Sequence, residues 1–189
     1  MANENGLGRT GFFALFLCAC LVGELIGVIC EAVSSGVPTE ALGGFSGLGG
    51  RQDILTALRF FAGTAVFMAV IFMLGFFPVG QPATFIVMAL RGLGQGAAFA
   101  KVYLCFEGSE LIRQAAALVI CHSVTAAALS LACCEAVTLS NAYLRHTFAD
   151  RIVLGMRDTV RLYVLKFVQL LAVAACGCGA AWLAVSLGN

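Results

Sequence analysis

Five apolar runs, each near the roughly 20 residues a helix needs to cross a ~30 Å hydrocarbon layer, constrain this chain more than any other feature. They cover 11–32, 60–77, 83–106, 111–137 and 162–187. The 189 residues are 61% hydrophobic and 11% charged, against about 45–50% and about 25% in soluble domains, so there is too little polar surface to cover these runs in water. The expected fold is all-α: a single polytopic membrane domain over 1–189 with five transmembrane helices. The first run exceeds the ~7–15-residue core of a signal peptide and reads as an uncleaved span. The tetrad Leu17-Cys18-Ala19-Cys20 departs from a lipoprotein cleavage site at its second position.

Orientation follows from the connection at 138–161, which carries Arg145, Arg151, Arg157 and Arg161 against Asp150 and Asp158. Basic loops stay on the cytoplasmic side, so this loop is expected inside. Counting back across alternate spans puts the amino terminus and the Pro78 to Pro82 turn inside as well. The Gly- and Ser-rich loop at 33–59, the turn at 106–112 and the carboxyl terminus then lie outside. A short interfacial helix from Gln52 is an option within the outer loop. In the basic loop, Ile152, Val153, Met156, Val160 and Val164 recur at helical spacing. That pattern fits an amphipathic helix on the inner surface or an extension of the fifth span, with docking of a soluble partner as a third use.

A rise of 1.5 Å per residue sorts the charges by depth. Lys101 and Lys166 lie near span ends and can snorkel. Arg91 falls about 13 Å into the third span, where a bare charge costs at least ~2.5–3.5 kcal/mol, so it requires a partner. Glu24 is closest in depth and is the expected ion-pair partner, with Glu135 second. His122 sits mid-span. It is expected to hydrogen-bond a carbonyl rather than relay a proton, because no further acids and bases line up with it. Gly23 with Gly27, and Gly92 with Gly96, are GxxxG pairs that let backbones approach in lipid. Spans one and three are therefore expected to cross closely, with the ion pair at the crossing.

Most of the nine cysteines fall inside apolar runs without a CxxC pair, which fits small buried hydrophobes. Cys30 and Cys105 share the outer surface in this topology and would bridge if adjacent. GLGQGAAF lies inside an apolar helix rather than after a strand, so it is a packing motif and not a dinucleotide fingerprint. No HExxH, GxxxxGK[ST], SxxK or GxSxG occurs, and two histidines leave little for a metal. Glu107, Glu110 and Arg113 read as an end-of-span cap. The expectation is no enzyme, no cofactor and no metal. A net charge of +1 argues against nucleic acid.

The run LGFFPVGQPATFIVMALRGLGQGAAFA, followed by an outer turn and a small-residue-rich span ending in EAVTLSNAYLR, resembles the stage II sporulation protein M family. The family's G-x-x-x-x-G-x-P turn and K/R-G-x-x-x-G motif fall on Gly75, Gly80, Pro82, Arg91, Gly92 and Gly96; Pro78 and the short third loop depart from its pattern. The resemblance implies a five-span scaffold in the bacterial cytoplasmic membrane that recruits two cell-wall hydrolases during engulfment. Its partners would be membrane lipids, those peptidoglycan hydrolases and, as a homo-oligomer, further copies of itself. The competing expectation is a transporter or channel subunit with Arg91, Glu24 and His122 along a polar path.

Overall fold

A computed structural model describes residues 4–33, 54–77, 80–149 and 156–186. Among them the chain is all-helical, with α1 Glu4–Val33, α2 Ile54–Leu74, α3 Gly80–Cys105, α4 Gly108–Ala149 and α5 Met156–Ser186. Four stretches are long and apolar enough to cross a membrane: Thr10–Val33, Gly80–Cys105, Gly108–Leu144 and Asp158–Leu183. The apolar part of α2, Leu58–Leu74, is shorter.

Contacts between helices fix their directions. Cys20 of α1 lies against Gly92 of α3, Glu24 against Gly96 and Gly27 against Ala97, so α1 and α3 run parallel. Gln81 near the start of α3 donates to Asn141 of α4, whereas Val102 near its end clusters with Leu118, so α3 and α4 are antiparallel. Cys121 meets Cys178 and Glu135 meets Lys166, so α5 returns antiparallel to α4. α2 is antiparallel to α3, because a tight turn joins Leu74 to Gly80 while Phe60 reaches the cluster of Ala98 and Val102.

The turn between α2 and α3 is closed by backbone bonds from Gly75 to Ile71, Phe76 to Met73, Phe77 to Leu74 and Gly80 to Phe77. Ser140 caps it by donating to the Phe77 carbonyl at 2.9 Å. Gly75 is required by space, since a Cβ there would strike the Tyr163 hydroxyl, which donates to the Phe72 carbonyl at 3.0 Å. Pro82 lies in the first turn of α3, where its missing N–H forfeits no helical bond. At the opposite end Gly108 takes φ 62, the left-handed conformation that starts α4.

α3 and α4 form the centre: 56% and 67% of their most apolar windows are buried, against 22% for α1 and 28% for α5. The main core draws on all five helices, through Phe16, Ile71, Met88, Leu129 and Phe167 among others. Large apolar side chains such as Leu25, Ile29, Val66, Ile86 and Val168 point outward, as a lipid-facing surface requires.

Two expectations about connections change. The basic loop was expected over 138–161, but α4 continues to Ala149 and α5 is already helical at Met156. No glycine or proline occurs between Gly108 and Gly155, so nothing in the sequence stops α4 at the bilayer edge. From Met156 onward the basic segment is the amino-terminal extension of α5, and Arg151 lies outside the described residues. The residues after Gln52 likewise begin α2 itself at Ile54, while most of the Gly-rich loop lies outside the described residues.

Candidate functional site: the polar centre at the crossing of α1, α3 and α4

The α1–α3 crossing is built from four glycines. A Cβ placed on Gly23, Gly27, Gly92 or Gly96 would fall on the carbonyl oxygen of Ala89, Leu93, Cys20 or Glu24, respectively. The two backbones are thus in direct contact, the close approach expected of paired GxxxG motifs. This contact sets the position of two polar residues on α1. Cys20 and Glu24 are one turn apart, and their side chains reach past α3 toward α4.

There Glu24 Oε1 meets His122 Nε2 in a hydrogen-bonding contact. Cys20 Sγ is 3.6 Å from the same carboxylate oxygen and 3.5 Å from Oε1 of Gln95 on α3. The Phe99 ring stands edge-on to the His122 ring, with centroids 5.5 Å apart. Gln95 is fully buried and His122 nearly so. Nε2 of Gln95 and Nδ1 of His122 have no hydrogen-bond partner among the described residues.

Arg91 lies just below this group and is also fully buried. Its Nη2 donates to Thr64 Oγ1 on α2 at 3.0 Å, and its guanidinium lies 5.3 Å from the Phe60 ring and 5.5 Å from the Phe67 ring. The hydroxyl and the two aromatic faces offset part of the cost of holding this charge away from water. Two expectations are corrected here: the carboxylate of Glu24 engages His122 rather than Arg91, which is seated on α2, and His122 meets that acid rather than a backbone carbonyl. Residues 60, 64 and 67 share one helical face, a signal that depth arithmetic alone does not use.

Other charges pair elsewhere in the bundle, with Glu135 and Lys166 well inside α4 and α5. Glu135 accepts from Lys166 at 2.8 Å, and Lys101 lies 3.7 Å from Glu31. Glu110 engages Arg113 and accepts from Gln114 at 2.9 Å, in keeping with the expected cap. All nine cysteines are free thiols, so Cys30 and Cys105 do not bridge. Cys121 and Cys178 face each other across α4 and α5 with sulfurs 3.6 Å apart.

Of the residues singled out from the sequence, Glu24, His122, Gly23, Gly27, Gly92 and Gly96 converge, with Arg91 beside them. Gly75, Gly80 and Pro82 lie at the α2–α3 turn; Arg161 is exposed near the start of α5. Cys20 and Gln95 are the residues that sequence reasoning passes over, although each lies one helical turn from a charged residue, Glu24 and Arg91 respectively, and that i, i+4 spacing is the signal that would find them. No known family profile, curated protein or solved structure matches the chain.

Proposed function

We propose that the chain is a non-enzymatic scaffold of the bacterial cytoplasmic membrane that recruits cell-wall hydrolases during sporulation engulfment. It has five spans, a cytoplasmic amino terminus and an outer carboxyl terminus. The observation that carries this reading is the way polar side chains inside the bundle are used. Glu24 with His122, Arg91 with Thr64 and Glu135 with Lys166 each tie one helix to another. A bundle that commits its polar groups to its own packing leaves recognition to its surfaces. The resemblance to the stage II sporulation protein M family over the α2–α3 turn and the Arg91 to Gly96 motif supports the same role.

The fifth span is α2. Although its apolar part is short, its 21 residues rise about 31 Å, close to the hydrocarbon thickness. It also lies beside α3 from the Gly80 turn to the level of Val102. With α2 crossing, the amino terminus, the α2–α3 turn and the basic segment with Arg145, Arg151, Arg157 and Arg161 share the inner side, as the charge bias demands.

Peptidoglycan hydrolases act outside, so the outer loop is their direct contact. Deleting 34–53 while retaining membrane insertion is expected to abolish co-purification of a hydrolase with the chain. Undiminished capture by the deletion variant would refute recruitment through this loop.

A further inference from the structure

We propose that Cys20, Glu24 and His122 bind one divalent transition-metal ion of the zinc class, held inside the bundle between α1 and α4. One ligand atom from each of the three residues lies within 4.8 Å of the others. Around a tetrahedral ion with bonds of about 2.0–2.3 Å, ligand atoms stand roughly 3.3–3.8 Å apart. The 3.6 Å between Cys20 Sγ and Glu24 Oε1 already matches this spacing. Thiolate, imidazole and carboxylate are the three ligand types zinc takes, whereas magnesium and calcium call for oxygen alone.

The backbone of the site is held in place before any ion arrives, and Glu24 and His122, in direct contact without it, part to admit the ion between them. Carbonyls of Cys20 and Glu24 rest on Gly92 and Gly96, so the α1–α3 crossing fixes two of the three ligands, and α4 brings the third. A separate observation points to a ligand at the same place. Gln95, fully buried, has its Oε1 3.5 Å from Cys20 Sγ, the spacing of a fourth ligand, and its Nε2 has no hydrogen-bond partner among the described residues.

Charge favours a divalent ion. On binding, the Cys20 thiol gives up its proton to solvent, and the resulting thiolate and the Glu24 carboxylate supply two negative charges that the ion neutralises, while Arg91 has partners of its own in Thr64, Phe60 and Phe67. Bound there, the ion joins α1, α3 and α4 and acts as a staple for the bundle, independently of any outer partner.

The test uses the full chain in detergent with Cys18, Cys30, Cys105 and Cys176 changed to Ser, so that outlying thiols do not scavenge metal. After chelator treatment the protein is loaded with Co²⁺ and desalted. Bound metal per chain is read by mass spectrometry and thiolate ligation by the sulfur-to-cobalt charge-transfer band. One ion per chain with that band is expected. Cys20→Ser should lose the band, and His122→Gln should weaken retention by about tenfold or more, as loss of a zinc ligand or its support does. Cys121→Ser should change neither. No retained metal in the parent protein, or an unchanged band in Cys20→Ser, overturns the proposal. The parent measurement needs no site variant, so a variant that fails to fold does not rescue it.

Discussion

At the scale of single residues, the contact between Glu24 and His122 sets how strongly α4 is held to α1. Removing one partner of a buried charged pair from a soluble protein costs about 3–5 kcal/mol. In lipid the cost is smaller, because an inserted but unassembled helix also finds polar partners: measured side-chain hydrogen bonds average about 0.6 and reach about 1.7 kcal/mol. The double-mutant cycle of Glu24→Ala and His122→Ala, followed by detergent unfolding, is therefore expected to give a coupling of about 0.6–1.7 kcal/mol. A coupling indistinguishable from zero would mean that the contact does not hold the helices together. The same residues show what a sequence can say about such a site. Rise per residue places Glu24, Arg91 and His122 at neighbouring levels, and Glu24 does lie against Gly96, about a turn and a half beyond Arg91. What depth does not supply is azimuth, the direction in which each side chain leaves its helix. Arg91 therefore finds Phe60, Thr64 and Phe67 on α2, and the carboxylate expected for it is taken up by His122. Cys20 was read only as a small apolar residue, which holds for its neighbours and misses the turn of helix that aligns it with Glu24.

At the scale of elements, the α1–α3 pair depends on hydrogen where other residues have a methyl group. Gly92→Ala and Gly96→Ala would push a Cβ into the carbonyl oxygens of Cys20 and Glu24, and backbone cannot rotate aside as a side chain would. Overpacking of this kind typically costs about 1–3 kcal/mol. Gly11 and Gly179 are helical glycines with open space at the Cβ position, so their alanine variants serve as controls and are expected to be neutral or up to about 1 kcal/mol stabilising. Thermal unfolding in detergent checks both sets, and losses at Gly92 and Gly96 no larger than those at Gly11 and Gly179 would show that the crossing does not depend on these glycines. This crossing was legible from GxxxG spacing alone, because in lipid small residues one turn apart have few other uses. The length of α4 was less legible. Hydropathy marks where a chain can leave the membrane, but only a helix breaker marks where the helix ends, and none appears before Gly155.

At the scale of the whole molecule, the alternation of helix directions converts the status of α2 into a question about the two ends of the chain. α1, α3 and α5 run one way and α2 and α4 the other, so the five crossings proposed here would put the termini on opposite sides of the membrane. If α2 merely dipped into one leaflet, α3 would have to enter from the side where α1 leaves. That arrangement conflicts with their parallel register at Cys20–Gly92 and Glu24–Gly96. The cost of full insertion falls on Arg59, an exposed residue one position before the Phe60 that packs at the far end of α3. Its long side chain can reach the interface from there, so the proposed crossing of α2 would bury no charge. Reporter fusions that are active on only one side of the membrane are therefore expected to place the amino terminus inside and the carboxyl terminus outside. Replacing Arg145, Arg151, Arg157 and Arg161 together with Gln removes most of the basic bias that holds the α4–α5 connection inside. The carboxyl-terminal reporter should then give a mixed population, whereas the α1–α3 crossing, which needs no charge, should keep the first part of the bundle assembled. A carboxyl-terminal reporter that stays inside in the unaltered protein would reduce the crossings to an even number and remove α2 from the membrane.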